Sequence, residues 1–268
     1  MPGVKRHHDG AEKPKNTDAA TSPFIGMFEV FRSELDEHHD RRERIIKASR
    51  DITAASKKII FALQRVRTLN KAVPPKIAAE VLEKTTTMST QFMAIVPDLV
   101  GINAWRYQRQ ISGGIQEYME AISFQHYLQH QKLTTLEEAS KLLPEGVNLT
   151  GDDYILGIFD LVGELMRFGI TTMATTGSLP GSKEVEGSEE KRDLLMDLRL
   201  LRTSFEALDT TSCGGTGLGK DVEKKMEVMK TCVEKVETAV YGMIIRGRER
   251  PKGWVPDLAD DRAPVESY

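Results

Sequence analysis

The sequence predicts an all-α protein: a single-domain bundle of six to seven helices, several of them long. Three observations carry that prediction. Apolar residues recur at three- and four-residue steps over long stretches, starting with Phe28, Phe31, Leu35, His38, Ile45, Ile52, Ile59, Leu63 and Val66. No strand-like alternation persists, and no repeat of roughly 20–50 residues is present. Helix-capping and helix-closing residues fall between the periodic stretches.

In chain order, residues 1–22 are polar and read as a disordered tail, in which Lys5-Arg6 and Lys13-Pro14-Lys15 form a weak bipartite nuclear signal or simply solubilise the chain. The helical domain is expected over 23–249. Its first helix runs from Pro23 to Leu69, with Pro74-Pro75 as the stop. A second helix is expected over 76–95 and a third over 98–131. Thr135-Leu136-Glu137-Glu138 is a capping box opening a short helix to Leu143, closed by Pro144 and Gly146. Thr150 or Asp152 caps the next helix, 152–175. Residues 177–190 read as a flexible surface loop. A helix follows over 191–209, then a glycine-rich turn at 212–219, a last helix over 220–246, and a loose C-terminal tail over 250–268.

Composition limits the function classes. The chain has 268 residues, 40% of them apolar, which suffices for a substantial core. Its formal net charge of −3 argues against nucleic-acid binding by bulk charge, so such a role needs a local patch or a basic partner. Two cysteines, Cys213 and Cys232, fit free thiols in a reducing compartment and exclude a disulfide framework or zinc cluster. No apolar run is long enough for a membrane span, and the N-terminus lacks the apolar segment of a secretory signal. The expected location is cytoplasmic and nuclear.

Two stretches hold the candidate chemistry. Glu117 and Glu120, three apart, share one face of the third helix at about 100° per residue. Gly113, Phe124, Tyr127, Leu128 and Arg109 flank them, while Ile111, Ile115, Met119 and Ile122 form the opposite face. A helix apolar on two sides is buried, and buried carboxylates must be paired or bind a metal. Asp160 and Glu164, four apart, share a face of a later helix, roughly opposite the stripe Ile155, Ile158, Phe159, Val162, Leu165 and Met166. By spacing alone that pair reads as a solvated acidic face more readily than as a site. If the two helices face each other, four carboxylates converge, and they cannot all stay ionised without a cation. An all-oxygen set suits Mg²⁺ or Mn²⁺, which supports phosphodiester hydrolysis. Arg109, on the Glu117 face, could hold a phosphate or pair with Glu120. A di-iron site needs Glu-x-x-His on two helices, and no histidine is in register.

Other motifs are weaker. Gly214-Gly215-Thr216-Gly217-Leu218-Gly219-Lys220-Asp221 resembles a phosphate loop, but no strand precedes it and Asp221 stands at the hydroxyl position. His38 and His39 point about 100° apart, a poor shared metal site. Arg41, Arg44, Lys57, Arg246 and Arg248 belong to basic stretches that are either solvated faces or phosphate-tracking surfaces.

The sequence also resembles a known family. Phe31-Arg32-Ser33-Glu34-Leu35-Asp36, Ser49-Arg50-Asp51-Ile52-Thr53, Gln116-Glu117-Tyr118, Ser123-Phe124-Gln125-His126, Asp153-Tyr154, Gly163-Glu164-Leu165-Met166-Arg167 and Lys235-Val236-Glu237 with Arg246-Gly247 are similar to the translin-associated factor X (TRAX) branch of the translin family. The similarity covers about residues 24–250 in order. The loop at 177–190 departs from the family pattern. The resemblance implies an all-helical fold and a hetero-oligomer with translin, an octamer-like shell around a cavity. It implies a Mg²⁺- or Mn²⁺-dependent endoribonuclease acting on single-stranded or nicked RNA, in passenger-strand removal during RNA silencing and in tRNA precursor processing. It also implies that Glu117, Glu120, Asp160 and Glu164 hold the metal and carry catalysis. The competing expectation is a non-catalytic scaffold that stabilises translin and binds nucleic acid or protein.

Overall fold

A computed structural model describes residues 23–181, 192–208 and 218–246. Among these the chain forms eight α-helices and no strand. They are α1 (Ile25–Leu63), α2 (Pro75–Ile95), α3 (Ile102–Arg106), α4 (Gln108–His130), α5 (Leu136–Leu142), α6 (Gly151–Thr176), α7 (Leu194–Glu206) and α8 (Leu218–Arg246). The all-α class is as the periodicity predicts. No helix among the described residues is long and apolar enough to cross a membrane. The expected tails at 1–22 and 250–268, and the loop beyond Gly181 as far as 190, lie outside the described residues.

The chain divides within α1 into two compact units, Met1–Arg41 and Arg42–Tyr268. In the first, Phe28, Phe31 and Leu35 are exposed although they share the three-to-four-residue pattern; Phe28 and Phe31 meet edge to face at 6.1 Å. The pattern marks an apolar face, not burial.

In the second unit the buried stripe of α1 starts at Ile45 and continues through Ile52, Ile59 and Leu63. The helix stops there, short of the expected Leu69. The proline pair does not end it: Pro74 is the N-cap of α2 and Pro75 its first residue, where a missing N–H is harmless. The expected third helix is broken as well. After α2 a 3-10 turn at Val96–Leu99 leads to Gly101 at φ +64°, a left-handed conformation that glycine adopts without strain. The short α3 and then α4 follow.

Local signals explain the remaining ends. Thr135 Oγ1 accepts from the Glu138 N–H at 3.2 Å, and the Glu138 carboxylate accepts from the Thr135 N–H at 2.9 Å, completing the capping box of α5. Thr150, rather than Asp152, caps α6, accepting from the Asp153 N–H at 3.1 Å. Gly177, at φ +69°, closes α6.

Helix α6 is central, packed against α4, α7 and α8. Its buried face includes Leu161, Val162, Leu165 and Phe168, all fully enclosed. Phe168 meets Phe124 of α4 edge to face at 6.3 Å. Helix α1 approaches α4 at Gly114, whose N–H donates to Ser49 Oγ at 3.1 Å; a Cβ there would lie 2.9 Å from the Ser49 carbonyl. The acids of α4 and α6 therefore sit on packed helices, not on loops.

Candidate active site

The register between α4 and α6 rests on two residues of α6. Gly157 lets the backbones approach: a Cβ there would fall 2.6 Å from Met119 Cβ and 3.0 Å from the Gln116 carbonyl. One turn earlier, the Asp153 carboxylate is buried, at 3% exposure. It accepts from Gln108 Nε2 at 2.8 Å, Gln116 Nε2 at 3.0 Å, Thr150 Oγ1 at 2.8 Å, and the Ser112 hydroxyl. Four donors satisfy this buried carboxylate without a cation. Three of those donors sit on α4, and Gln116 directly precedes Glu117, so Asp153 fixes how α4 presents its acids to α6.

That register brings all four predicted acids together. Glu117, Glu120, Asp160 and Glu164 line one cavity of about 790 Å3, whose wall also includes Lys57, Phe61, Gln64, Phe159, Arg167 and Lys225. The solvated-face reading of Asp160 and Glu164 does not hold, since the Glu164 side chain is only 12% exposed and Asp160 is half-buried.

Three of the acids have partners. Lys57 Nζ lies 3.1 Å from Glu117 Oε1. Lys225 Nζ bonds Asp160 Oδ1. Gln64 Nε2 donates to Glu164 Oε2 at 2.6 Å and to the Glu164 backbone carbonyl at 3.0 Å, while Arg167 Nη1 stands 3.4 Å from Glu164 Oε1. Glu120, alone of the four among the described residues, has no side-chain partner. Burial pushes its carboxyl up to about 8, and the negative charges of Asp160, Glu164 and Glu117 add to the effect; Lys225 opposes them. At neutral pH Glu120 therefore holds a proton.

Such an arrangement can take up positive charge. The donor set is all-oxygen and contains a protonated, charge-crowded carboxyl. The Gln64 Oε1 atom is buried without a partner. These features fit a hard divalent cation in chemistry. As placed, no three His, Cys, Asp or Glu side chains among the described residues are disposed to hold one ion. Three acids turn instead to Lys57, Lys225 and Gln64.

The predicted basic residues divide. Lys57 lines the cavity. Arg109 is exposed, does not line the cavity and does not pair with Glu120. Arg44 makes two bonds to Asp98, at 2.7 and 2.9 Å, and Arg41 bonds Glu37 at 2.6 Å. The Arg246 side chain and Arg248 lie outside what is described, as does most of the glycine-rich stretch before α8.

Sequence reasoning missed Gln64, Arg167 and Lys225 as cavity residues. Lys225 carried a signal. It stands three residues after Val222 and four before Met229, both buried, so a lysine interrupts the apolar stripe of α8. Gln64 follows Lys57 by seven residues, which places both on one side of the α1 path.

Fold and cavity together define an all-helical protein with paired acids on two adjoining helices. The Translin family model matches residues 40–247, and the chain belongs to the Translin family. It is 32% identical to Translin-associated protein X of Mus musculus, over 95% of this chain and 91% of that protein. It is 29% identical to the Translin-associated protein X homolog of Schizosaccharomyces pombe, over 89% of this chain and 95% of that one. To Translin of Mus musculus the identity is 24%, over 82% and 92%. A crystal structure of apo-NeC3PO shares the fold, with a TM-score of 0.56 at 15% identity, covering 79% of this chain and 96% of that one.

Proposed function

We propose that this chain is the catalytic subunit of a hetero-oligomeric endoribonuclease, assembled with translin and hydrolysing phosphodiesters of single-stranded or nicked RNA. One observation carries the reading: four carboxylates from two helices line one cavity, where burial, with the charges of the other three, pushes the Glu120 carboxyl up to about 8. A scaffold gains nothing from such crowding, which is destabilising by itself. The likeness to Translin-associated protein X supports the assignment, and the likeness to apo-NeC3PO supports the fold.

Glu117, Glu120, Asp160 and Glu164 would hold a Mg²⁺ or Mn²⁺ ion, with Gln64 Oε1 as a neutral oxygen beside them. The cation, when bound, supplies Lewis acidity toward phosphate oxygens and makes water more acidic. The chain's own residues supply the rest. The Glu120 carboxyl, raised to about 8 by burial and by the three neighbouring acids, would lose its proton beside a bound cation, and the carboxylate so formed is placed to take the proton of the attacking water. Arg167 and the two lysines offer donors to the non-bridging oxygens. Ile60 and Phe159, both buried, belong to the apolar part of the wall and limit water around the reacting phosphate. Translin would add basic surface that a chain of net charge −3 lacks.

One observation favours the scaffold reading instead: Lys57, Lys225 and Gln64 already satisfy three of the four acids. Chelation separates the two. The co-purified complex is expected to cleave a short single-stranded RNA in Mg²⁺, to stop in EDTA, and to resume when Mg²⁺ is returned. Cleavage that persists in EDTA, or no cleavage under any of these conditions, supports the scaffold.

A further inference from the structure

Two ammonium groups line the acid cavity. Lys57 reaches Glu117 from α1, and Lys225 reaches Asp160 from α8. Lys57 is exposed, whereas the setting of Lys225 differs from that of an ordinary surface lysine. The Lys225 side chain is only 26% exposed and interrupts a buried stripe that includes Val222 and Met229. Buried lysines are uncommon because desolvating the ammonium is unfavourable unless a carboxylate answers it. The two lysines come from different helices and serve different acid pairs, one on α4 and one on α6.

We propose that Lys57 and Lys225 are exchangeable counter-ions: they compensate the acid cavity in the absence of a divalent cation, and they turn to the oxygens of the bound RNA phosphodiester once a cation takes their carboxylates. The inference rests on the nuclease reading above. Charge balance supplies the argument. Without a cation, Glu117 and Asp160 are held by the lysines. A divalent cation brings two positive charges to the same acids, so both ammonium groups lose their partners together. They remain on the cavity wall, and a phosphodiester is the anion that the cavity then admits. The long flexible lysine stem suits this exchange, because the ammonium group is a point charge without the fixed fork of arginine.

The test uses the full chain assembled with translin, comparing the wild type with Lys57→Met/Lys225→Met. In EDTA the double variant is expected to melt about 5 °C lower, because the acids lose their compensation; in Mg²⁺ the difference shrinks to about 1 °C. Affinity for a short phosphorothioate RNA in Mg²⁺ is expected to fall about tenfold, and its salt slope to shrink by about 0.7 per lysine. Arginine at both positions should restore the salt slope. A melting loss that is equal in EDTA and Mg²⁺, or an unchanged RNA affinity and salt slope, overturns the proposal. If the double variant does not fold, the exposed Lys57→Met alone gives the same comparison. Failure of the nuclease reading shows in the wild type, as no Mg²⁺-dependent cleavage. Failure of this inference alone shows as a wild type that cleaves and lysine variants that match it.

Discussion

The Gln64 amide lies 2.6 Å from the Glu164 carboxylate and 3.0 Å from the same residue's backbone carbonyl. One neutral side chain just beyond α1 thus grips an acid of α6 at two points. Gln64 is placed to set the carboxylate's direction without neutralising it.

Replacing Gln64 with alanine is expected to cost about 1–2 kcal/mol, the scale of a hydrogen bond to a charged group. Equilibrium urea unfolding at neutral pH measures it. Gln64→Glu is expected to be worse, since it sets a carboxylate against a carboxylate. Equal stability of Gln64→Glu and the wild type in EDTA would show that the amide grip is not what holds Glu164.

Glu120 gives the metal-free protein a defined pH dependence. Its carboxyl titrates at about 8 in the folded state against an ordinary value of 4.5. Between those values the folded chain keeps a proton that the unfolded chain releases, so stability falls as pH rises through this window and levels off above about 8. The contribution is fully present below the unfolded value. Melting temperatures measured in EDTA from about pH 5 to about pH 9 are expected to show this decline. Glu120→Gln, which keeps the shape and removes the proton equilibrium, is expected to flatten it. An equally steep decline in the variant assigns the effect to another group.

Gly157 is predicted to tolerate no side chain. A Cβ would stand 2.6 Å from Met119 Cβ and 3.0 Å from a backbone carbonyl, so Gly157→Ala must push α4 from α6. Overpacking of this kind typically costs about 1–3 kcal/mol. Thermal melting reads the cost, and RNA cleavage is expected to fall further than stability alone explains, because the acid pairs separate. Normal melting with normal cleavage would contradict the close approach.

Asp153→Asn tests the other half of the register. The carboxylate accepts four bonds, and an amide must turn a donor toward at least one of those donors. Breaking such a buried, charge-assisted network is expected to destabilise by about 3 kcal/mol, measured by chemical denaturation. A loss below about 1 kcal/mol would mean that water replaces the carboxylate there.

Much of this was legible in the sequence, for identifiable reasons. The helical class followed from periodicity, and the caps at Thr135 and Thr150 followed from short-range side-chain chemistry, which a sequence states directly. The two acid pairs could be placed on helix faces, but spacing alone could not bring Asp160 opposite Glu117. That depends on Gly157 and Asp153, whose roles exist only across the α4–α6 interface. The break at Gly101 was missed because a single glycine within a long apolar pattern is ambiguous until its φ is known. Exposed Phe28 and Phe31 show the opposite limit, since an apolar stripe does not say what it faces. Lys225 was readable as a lysine interrupting an apolar stripe; Gln64 was not, because nothing local distinguishes it from any polar residue after a helix.

The central claim is that the four acids form one RNA-cleaving site, with Glu120 as the proton-handling member. Cleavage of a short single-stranded RNA in Mg²⁺ by the assembled complex, comparing the wild type with Glu120→Gln, tests it most directly. The expected result is a rate loss of about 100-fold or more, the usual scale for removing a general base, with assembly and melting intact. A Glu120→Gln complex that assembles normally and cleaves within about threefold of the wild type would contradict it.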